Sequence, residues 1–537
     1  MTWRADTGAS DSWSLAAAAE RATVRDAPSW CQIVVRIGLA TYVGVLIVAI
    51  FRGSWFLFGS VVQIPLWALI VRTVARRIAS AERDPGVYGF VMAAFTAKML
   101  GALVRQVVAA SLYGGVSDAA AYDKAGRQLA PFYRRFDFSP NTGKLVGTGF
   151  IKALTGFLYA FTGTSESGAF VFLSVLSFFG LLMLWRAFRR ALPEGDGRRY
   201  GLLVLFLPSL LYWPSSLGKE GWAIMGVGLV SYGVALLLTR AIARGVVLLG
   251  AGLVAVTMLR PHVSLVLFGG LVLAAVLGKP RVSTPATPLI RIATFAALFL
   301  IGTIIVSQAN QFLGTTNLDQ STVNKKLAKT SHQTAKDAGS RFAPVKINNP
   351  VVVPWAAVTV LFRPLPWEAH SGQELANTAE SCFLIYLAYK SRRRLRSVFR
   401  YARASPYVAY CLGSTATFVY AFSAFANFGI LARQRTQCMP LVLVLLCLPE
   451  FVPKWKQQWS SDGEHVPAIS GEPASEQRDL IDESNPYTRF RTDARPRSDS
   501  RTSPTLDDPY GRFGIGVGHN PYERFGTRTP NGQKDEA

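Results

Sequence analysis

Residues 245–278, GVVLLGAGLVAVTMLRPHVSLVLFGGLVLAAVLG, set the architecture of this chain. They contain one charged side chain, Arg260, which separates two apolar runs of 15 and 17 residues. Each run approaches the roughly 20 residues that an α-helix needs to cross a bilayer core of about 30 Å. Arg260 and Pro261 therefore predict a turn at the membrane surface between two spanning helices.

Apolar runs of this kind recur along the chain and predict twelve spanning helices. They are residues 37–51, 55–71, 86–110, 168–186, 201–215, 221–239, 245–259, 262–278, 289–307, 375–389, 406–427 and 437–452. The first two are joined by a predicted turn at Arg52-Gly53-Ser54. The run 351–362 is too short to span, so we expect it to be re-entrant or to lie at the interface. The predicted fold class is an all-α, polytopic transmembrane helix bundle.

The composition supports a membrane protein and argues against a nucleic-acid-binding one. The 537 residues are 50% apolar and 17% charged, whereas a water-soluble chain carries about a quarter charged residues. The net charge of +24 is uneven, because residues 1–452 carry +26 and residues 453–537 carry −2. The basic part is also the hydrophobic part, and it lacks the soluble basic modules of a DNA-binding protein. The five cysteines have no metal-ligand spacing, so we expect no zinc site and no cofactor.

The loops predict the orientation of the chain. If the N-terminal segment 1–36 is cytoplasmic, the cytoplasmic loops hold 23 Lys and Arg in 95 residues, against 18 in 143 for the outer loops. The positive-inside rule requires a bias of this sign, and the run 390–396 is its strongest element. We therefore expect a multi-pass protein of the cell membrane with both termini in the cytoplasm.

Three segments outside the spans are long. The outer loops are 111–167 and 308–374, and the first contains an apolar stretch, Leu145 to Phe161, that predicts an interfacial helix. The tail, 453–537, is poor in aliphatic residues and is predicted to be disordered. It repeats the motif [Asn/Asp]-Pro-Tyr-x-Arg-Phe three times, at 485–490, 508–513 and 520–525. Such repeats favour a multivalent docking site for a cytoplasmic protein, or else they reflect local duplication without a partner.

Acids and arginines cluster in the loops of the predicted outer face. Ionisable groups at a membrane boundary are costly unless they face a cavity or a partner, and arginine pairs well with phosphate. Sugar transfer from a lipid-linked diphosphate needs a cationic clamp for the leaving group and an acid to deprotonate the attacking hydroxyl. Asp118 is the first candidate for this acid and Glu368 the second. The candidate substrate-binding residues are Lys219, Glu220, Arg260, His262, Arg363, Arg433 and Arg435.

Seven of these nine candidates also have a structural interpretation. Asp118 could cap a helix, and Lys219 with Glu220 could form a surface ion pair. Arg260, like the arginines at 433 and 435, could extend toward lipid headgroups, and His262 could be a packing residue.

Several of these residues lie in motifs that resemble those of bacterial proteins of surface-polysaccharide synthesis. The segment 207–220, LPSLLYWPSSLGKE, resembles a Pro-Ser…Trp-Ser-Ser-x-x-Lys-[Asp/Glu] pattern, and LRPH at 259–262 and RPLPWE at 363–368 resemble further motifs. The group comprises polymerases of the Wzy and EpsG type and the GT-C glycosyltransferase superfamily. The resemblance spans about 86–440 and implies that Asp118 is the loop acid, with Lys219, Arg260 and Arg363 at cationic positions. The paired acid of GT-C enzymes is absent, since Asp123 is five residues from Asp118, so no metal role is expected.

These observations favour a membrane glycosyltransferase or polysaccharide polymerase that uses a polyprenyl-phosphate-linked sugar at the outer face. The first alternative is a transporter or flippase for lipid-linked or anionic solutes, for which Lys98 and Arg105 would be the charges within a span. The second is a non-catalytic scaffold that recruits partners through its tail.

Overall fold

The computed structural model describes residues 28–53, 55–112, 118–140, 143, 145–278, 287–313, 342–345, 347 and 349–449. The tail with its three repeats, the first 27 residues and most of the loop 308–350 lie outside these residues. Every regular element within them is a helix.

The first half of the described chain forms the helices α1 to α9. They are α1 (Ser29–Arg52), α2 (Trp55–Glu82), α3 (Gly86–Leu112), α4 (Asp118–Tyr133), α5 (Phe150–Thr162), α6 (Glu166–Ala191), α7 (Gly197–Phe206), α8 (Pro208–Tyr212) and α9 (Lys219–Leu238). A π-helical turn, Leu145–Gly149, precedes α5. Gly53, in the left-handed conformation that glycine readily adopts, ends α1 at the predicted turn.

The second half forms the helices α10 to α18. They are α10 (Ile242–Leu259), α11 (Pro261–Leu277), α12 (Thr287–Leu313), α13 (Val353–Phe362), α14 (Gly372–Lys390), α15 (Arg392–Arg396), α16 (Val398–Ala404), α17 (Pro406–Phe422) and α18 (Phe428–Leu446). Two single 3-10 turns, Pro350–Val352 and Pro366–Glu368, flank α13.

Eight helical segments of the described residues are long and apolar enough to cross a bilayer. They are α1, Leu57–Glu82 of α2, Gly86–Ser111 of α3, Leu145–Thr162, α6, α9, α10 and Arg291–Gln308 of α12. The apolar helices α11 and α13 are shorter. The chain is therefore a multi-pass helical membrane protein, and the count of twelve spans stays a prediction. The apolar stretch at Leu145 was predicted to lie in the interface, but by length and composition it could also span.

The helices α6 and α9 form the centre of the bundle, whereas α1 lies at its edge. Within their apolar windows, 78% of α6 and 67% of α9 is buried, against 6% of α1. Gly180 of α6 and Gly228 of α9 allow this packing, because a Cβ atom on Gly228 would overlap the backbone of Gly180. Small residues at such crossings let two helices approach closely in a membrane.

The prediction of one continuous helix over 201–215 is wrong, because two short helices, α7 and α8, replace it. Leu207 is extended and Pro208 begins α8, since proline cannot donate the hydrogen bond that would continue α7. The backbone N–H of Ser209 instead donates to Glu380 Oε2 at 2.6 Å, and Lys98 Nζ donates to the carbonyl of Leu210 at 2.7 Å. The following turn, residues 213–218, leads directly into α9.

The predicted outer loop 428–436 is also wrong, because these residues are helical. Asn427 accepts a hydrogen bond from the N–H of Ile430 and begins α18, which ends at Leu446 rather than at residue 452. Asparagine is a favoured residue at this position. Arg433 and Arg435 are therefore held on a helix rather than on a loop. Their positions two residues apart direct their side chains to different sides of α18.

Candidate functional site

A polar cavity of about 340 Å3 lies at the end of the bundle where α3 ends and α4 begins. Its lining includes Arg105, Asp118, Trp213, Ser216, Gln373 and Arg433. These residues come from α3, α4, α14, α18 and the turn after α8. We call this end of the molecule the cavity end. Segments far apart in the sequence thus meet here and surround one space with charged and polar groups.

A buried ion pair lies beside this cavity, in contact with the lining residue Arg433. Arg260 Nη2 lies 2.6 Å from Glu220 Oε1, and the two side chains are only 7% and 2% exposed. Glu220 stands in the first turn of α9, whereas Arg260 occupies the break between α10 and α11. The second amino group, Nη1 of Arg260, donates to Gln434 Oε1 at 2.7 Å. The predicted surface pair of Lys219 with Glu220 is replaced by this buried contact, which joins α9 and α11 to α18.

Arg433 connects the buried acid to an exposed one. Its Nη2 lies 3.3 Å from Asp118 Oδ2, and its Nε lies 3.5 Å from Glu220 Oε1. The Asp118 side chain is 64% exposed, whereas that of Glu220 is almost completely enclosed. The guanidinium also lies 5.9 Å from the centre of the Trp213 ring, on which it can make a cation–π contact. Asp118 is thus the acid that a solute in the cavity can reach.

Asp118 is the first residue of α4, so it fits both interpretations of this position. A carboxylate there interacts favourably with the helix dipole, and it also pairs with Arg433 across the cavity. One turn later, Tyr122 is 5% exposed. Burial, and next the negative charges of Asp118 and Glu220, raise the pKa of the Tyr122 phenol to about 12.

Lys219 and His262 lie near this cluster but do not line the cavity. Lys219 Nζ donates to Thr148 Oγ1 at 2.8 Å, so it faces the π-helical turn before α5. The imidazole of His262 lies 6.0 Å from the Phe422 ring of α17, in a tilted arrangement. This contact agrees with the interpretation of His262 as a packing residue.

Glu368 and Arg363 form a separate cluster. Arg363 Nε lies 3.0 Å from Glu368 Oε1, and Glu368 Oε2 accepts from the backbone N–H of Leu365 at 2.8 Å. Arg363 also donates to the carbonyl of Ala343 and stands over the Phe342 ring at 4.7 Å. Neither side chain lines the polar cavity, so the structure does not bring the second candidate acid beside the first.

Arg435 is enclosed within the protein. It is 1% exposed, and its Nη1 donates to the carbonyls of Leu361 at 2.8 Å and Arg363 at 3.0 Å. These bonds hold the last turn of α13 against α18 and satisfy carbonyls that the helix leaves without partners. A substrate could contact Arg435 only after these bonds were broken.

The cavity also contains residues that the motifs did not predict. Arg105 lies among them, and its guanidinium donates to the Tyr212 hydroxyl at 2.9 Å and stands 5.1 Å from the Trp213 ring. An arginine inside an apolar span was the signal that could have suggested this role. Gln373 and Asn427 carry no comparable signal, because neutral amides are common in loops and at helix starts.

Lys98, one of the two charges within the predicted third span, is fully buried, and its Nζ donates a hydrogen bond to the carbonyl of Leu210.

No group of three or more His, Cys, Asp or Glu in the described part of the chain could hold a metal ion. Comparison of the chain with protein-family models, with curated proteins and with solved structures found no match.

Proposed function

We propose that the chain is a membrane glycosyltransferase or polysaccharide polymerase that transfers sugar from a polyprenyl-phosphate carrier. The observation that carries the proposal is the sequence of charges Asp118, Arg433 and Glu220 at the polar cavity. The accessible acid Asp118 thus lies next to Arg433, and Arg433 also pairs with the buried Glu220. The reaction needs both groups, because an acid must take the proton of the attacking hydroxyl and a cation must stabilise the charge of the leaving diphosphate.

The cavity residues suggest how the step would proceed. An acceptor hydroxyl attacks the anomeric carbon, the bond from that carbon to the diphosphate oxygen breaks, and Asp118 takes the hydroxyl proton. Arg433 receives the negative charge of the leaving diphosphate, since guanidinium groups pair with phosphate in a planar, bidentate geometry. A phosphate that engages Arg433 also competes with Asp118 for it. Binding of the donor would therefore release the carboxylate to face the acceptor hydroxyl.

The remaining predictions complete the proposal. The cavity would face the outside of the cell membrane, in a bundle of twelve spans that resembles GT-C and Wzy-type proteins, with both termini in the cytoplasm. The three tail repeats would bind a cytoplasmic protein. Removal of residues 453–537 should then leave sugar transfer intact, whereas a scaffold would lose its function.

The test is the surface glycan of a strain that lacks the gene and is complemented with single variants. We expect Asp118→Asn and Arg433→Ala to abolish restoration of the polysaccharide and to let lipid-linked sugar accumulate. Asp137→Asn is the matched control, since this partly exposed acid accepts hydrogen bonds from Ser139 in its own turn and does not line the cavity. Normal polysaccharide from an Asp118→Asn protein present at wild-type level would refute the assignment of the base.

A further inference from the structure

An apolar groove begins beside the polar cavity and runs along the bundle between α1, α2 and α3. It has a volume of about 310 Å3, and its walls include Leu39, Tyr42, Ile64, Ala68, Met99 and Leu103. Phe170 of α6 lines both the groove and the polar cavity. The adjacent residues Arg105 and Gln106 of α3 line the cavity and the groove respectively. One wall therefore separates a charged space from an apolar one.

The hydroxyl groups in this groove do not make it polar. Thr41, Ser60 and Thr96 each donate to a backbone carbonyl of their own helix, at 2.9, 2.7 and 3.0 Å. The hydroxyl of Tyr42 donates to the carbonyl of Val61 at 3.1 Å. Because these donors are already used, the groove offers a ligand mainly methyl, methylene and aromatic surface.

The groove is longer than one leaflet of a bilayer. Along α3 its lining extends from Met92 to Gln106, which corresponds to about 21 Å of helix. A second cavity of about 320 Å3 shares Val35 and Met92 with it and continues to Tyr88. The combined path is about 27 Å long, whereas one leaflet of the hydrocarbon core measures about 15 Å. An acyl chain of a phospholipid fills one leaflet and would leave the far part of this path empty.

One polar group marks the end of the groove near the cavity. Gln106 Nε2 is buried and has no hydrogen-bond partner among the described residues. A buried donor without a partner costs free energy, so an acceptor on a bound molecule would stabilise it. A phosphate oxygen at the boundary between groove and cavity would be such an acceptor.

We propose that the groove binds the hydrocarbon chain of a lipid phosphate and selects a single isoprenoid chain longer than one leaflet. The phosphate would lie at Gln106 and Arg105, and the chain would run past Met99 and Met92 toward Tyr88. The part that concerns the phosphate rests on the proposed function, whereas chain-length selection is a separate property. The preference comes from packing contacts, because the chain is in an apolar environment both in the lipid and in the groove.

The experiment measures binding of lipid phosphates without sugar to the full-length protein in nanodiscs, by native mass spectrometry and by quenching of tryptophan fluorescence. We expect undecaprenyl phosphate to bind about tenfold more tightly than farnesyl phosphate, a difference of about 1.4 kcal/mol. Phosphatidylglycerol should compete poorly. Ala68→Phe fills the groove at its far half and should reduce the affinity for undecaprenyl phosphate to that for farnesyl phosphate, without changing the latter.

Leu69→Phe is the matched control, because Leu69 is 60% exposed, lies about 100° away from Ala68 around α2 and does not line the groove. Val35→Phe, at the boundary of the two apolar cavities, is a second blocking variant should Ala68→Phe fail to fold. Gln106→Leu should weaken both lipid phosphates equally. Equal affinities of the wild-type protein for long and short chains, or undiminished long-chain binding by a folded blocking variant, would overturn the inference. Neither result depends on sugar transfer, so each is distinct from a failure of the Asp118 test.

Discussion

The buried pair of Glu220 and Arg260 allows a quantitative test of how the cavity end is held together. Glu220→Gln and Arg260→Gln each remove one charge and leave the other enclosed, with side-chain exposures of 2% and 7% in the intact pair. Breaking a buried pair from one side typically costs about 3 to 5 kcal/mol, because the remaining charge has lost its counter-ion in a poorly solvated place. We expect about 3 kcal/mol for Arg260→Gln, since Arg433 still lies 3.5 Å from Glu220. We expect about 3 to 5 kcal/mol for Glu220→Gln, because Arg260 and Arg433 both lose this acid.

The double variant should lose less than the two single variants together. With both charges removed, neither is left enclosed without a counter-ion, so the coupling free energy should be at least about 1 kcal/mol. The assay is reversible unfolding in mixed micelles of detergent and dodecyl sulfate, followed by circular dichroism. Its control is Arg127→Gln, which removes a partly exposed pair with Asp123 and should cost less than about 1 kcal/mol.

Two results would refute this reasoning. The first is a double variant whose loss of stability equals the sum of the two single losses within about 0.5 kcal/mol, because residues that do not interact behave in this way. The second is an Arg260→Gln protein as stable as the wild type. Either would mean that water reaches the pair and that its enclosure contributes little to the free energy of unfolding.

Three further predictions follow from the helix contacts and charges. Gly228→Ala should lower the free energy of unfolding by about 1 to 3 kcal/mol, because the added Cβ would overlap the backbone of Gly180. The control in the same denaturation assay is Gly44→Ala, since no atom lies within 4 Å of a Cβ at that position. Arg435→Ala should destabilise the protein by about 3 kcal/mol or more, because two backbone carbonyls of the α13 end lose their donor. Arg433→Ala should impair polysaccharide synthesis with a smaller loss of stability, because Glu220 keeps its pair with Arg260. The reverse pattern would contradict the separate roles of these two arginines. Burial is the main cause that raises the pKa of Tyr122 to about 12. The stability that this residue contributes is therefore complete below the unfolded pKa of about 10 and is lost as the pH rises through about 12. Between these pH values the melting temperature of Tyr122→Phe should fall less steeply than that of the wild type, and parallel curves would exclude this contribution.

Hydrophobic runs were sufficient to predict a multi-pass helical membrane protein, because a chain in lipid must satisfy its backbone hydrogen bonds internally. They did not predict the break at Pro208 or the early start of α18 at Phe428. The first depends on Glu380 and Lys98, which come from distant helices and hydrogen-bond to buried backbone groups of Ser209 and Leu210 at the break. The second was hidden because Arg433 and Arg435 make the start of α18 look like a polar loop.

The sequence alone identified the charged residues of the loops, since acids and arginines beside apolar runs are conspicuous in any window. It could not show which of them line the cavity and which are buried in the protein. That difference comes from the packing of helices that are distant in the chain, which places Arg433 beside Asp118 and encloses Arg435 against α13. Lys219 and Arg260 look alike in their motifs, yet one faces the turn at Thr148 and the other is buried with Glu220. Periodicity and charge act within a few turns of a helix, and so they determine which segments enter the membrane. Which charges share a cavity depends on contacts between helices that are distant in the chain.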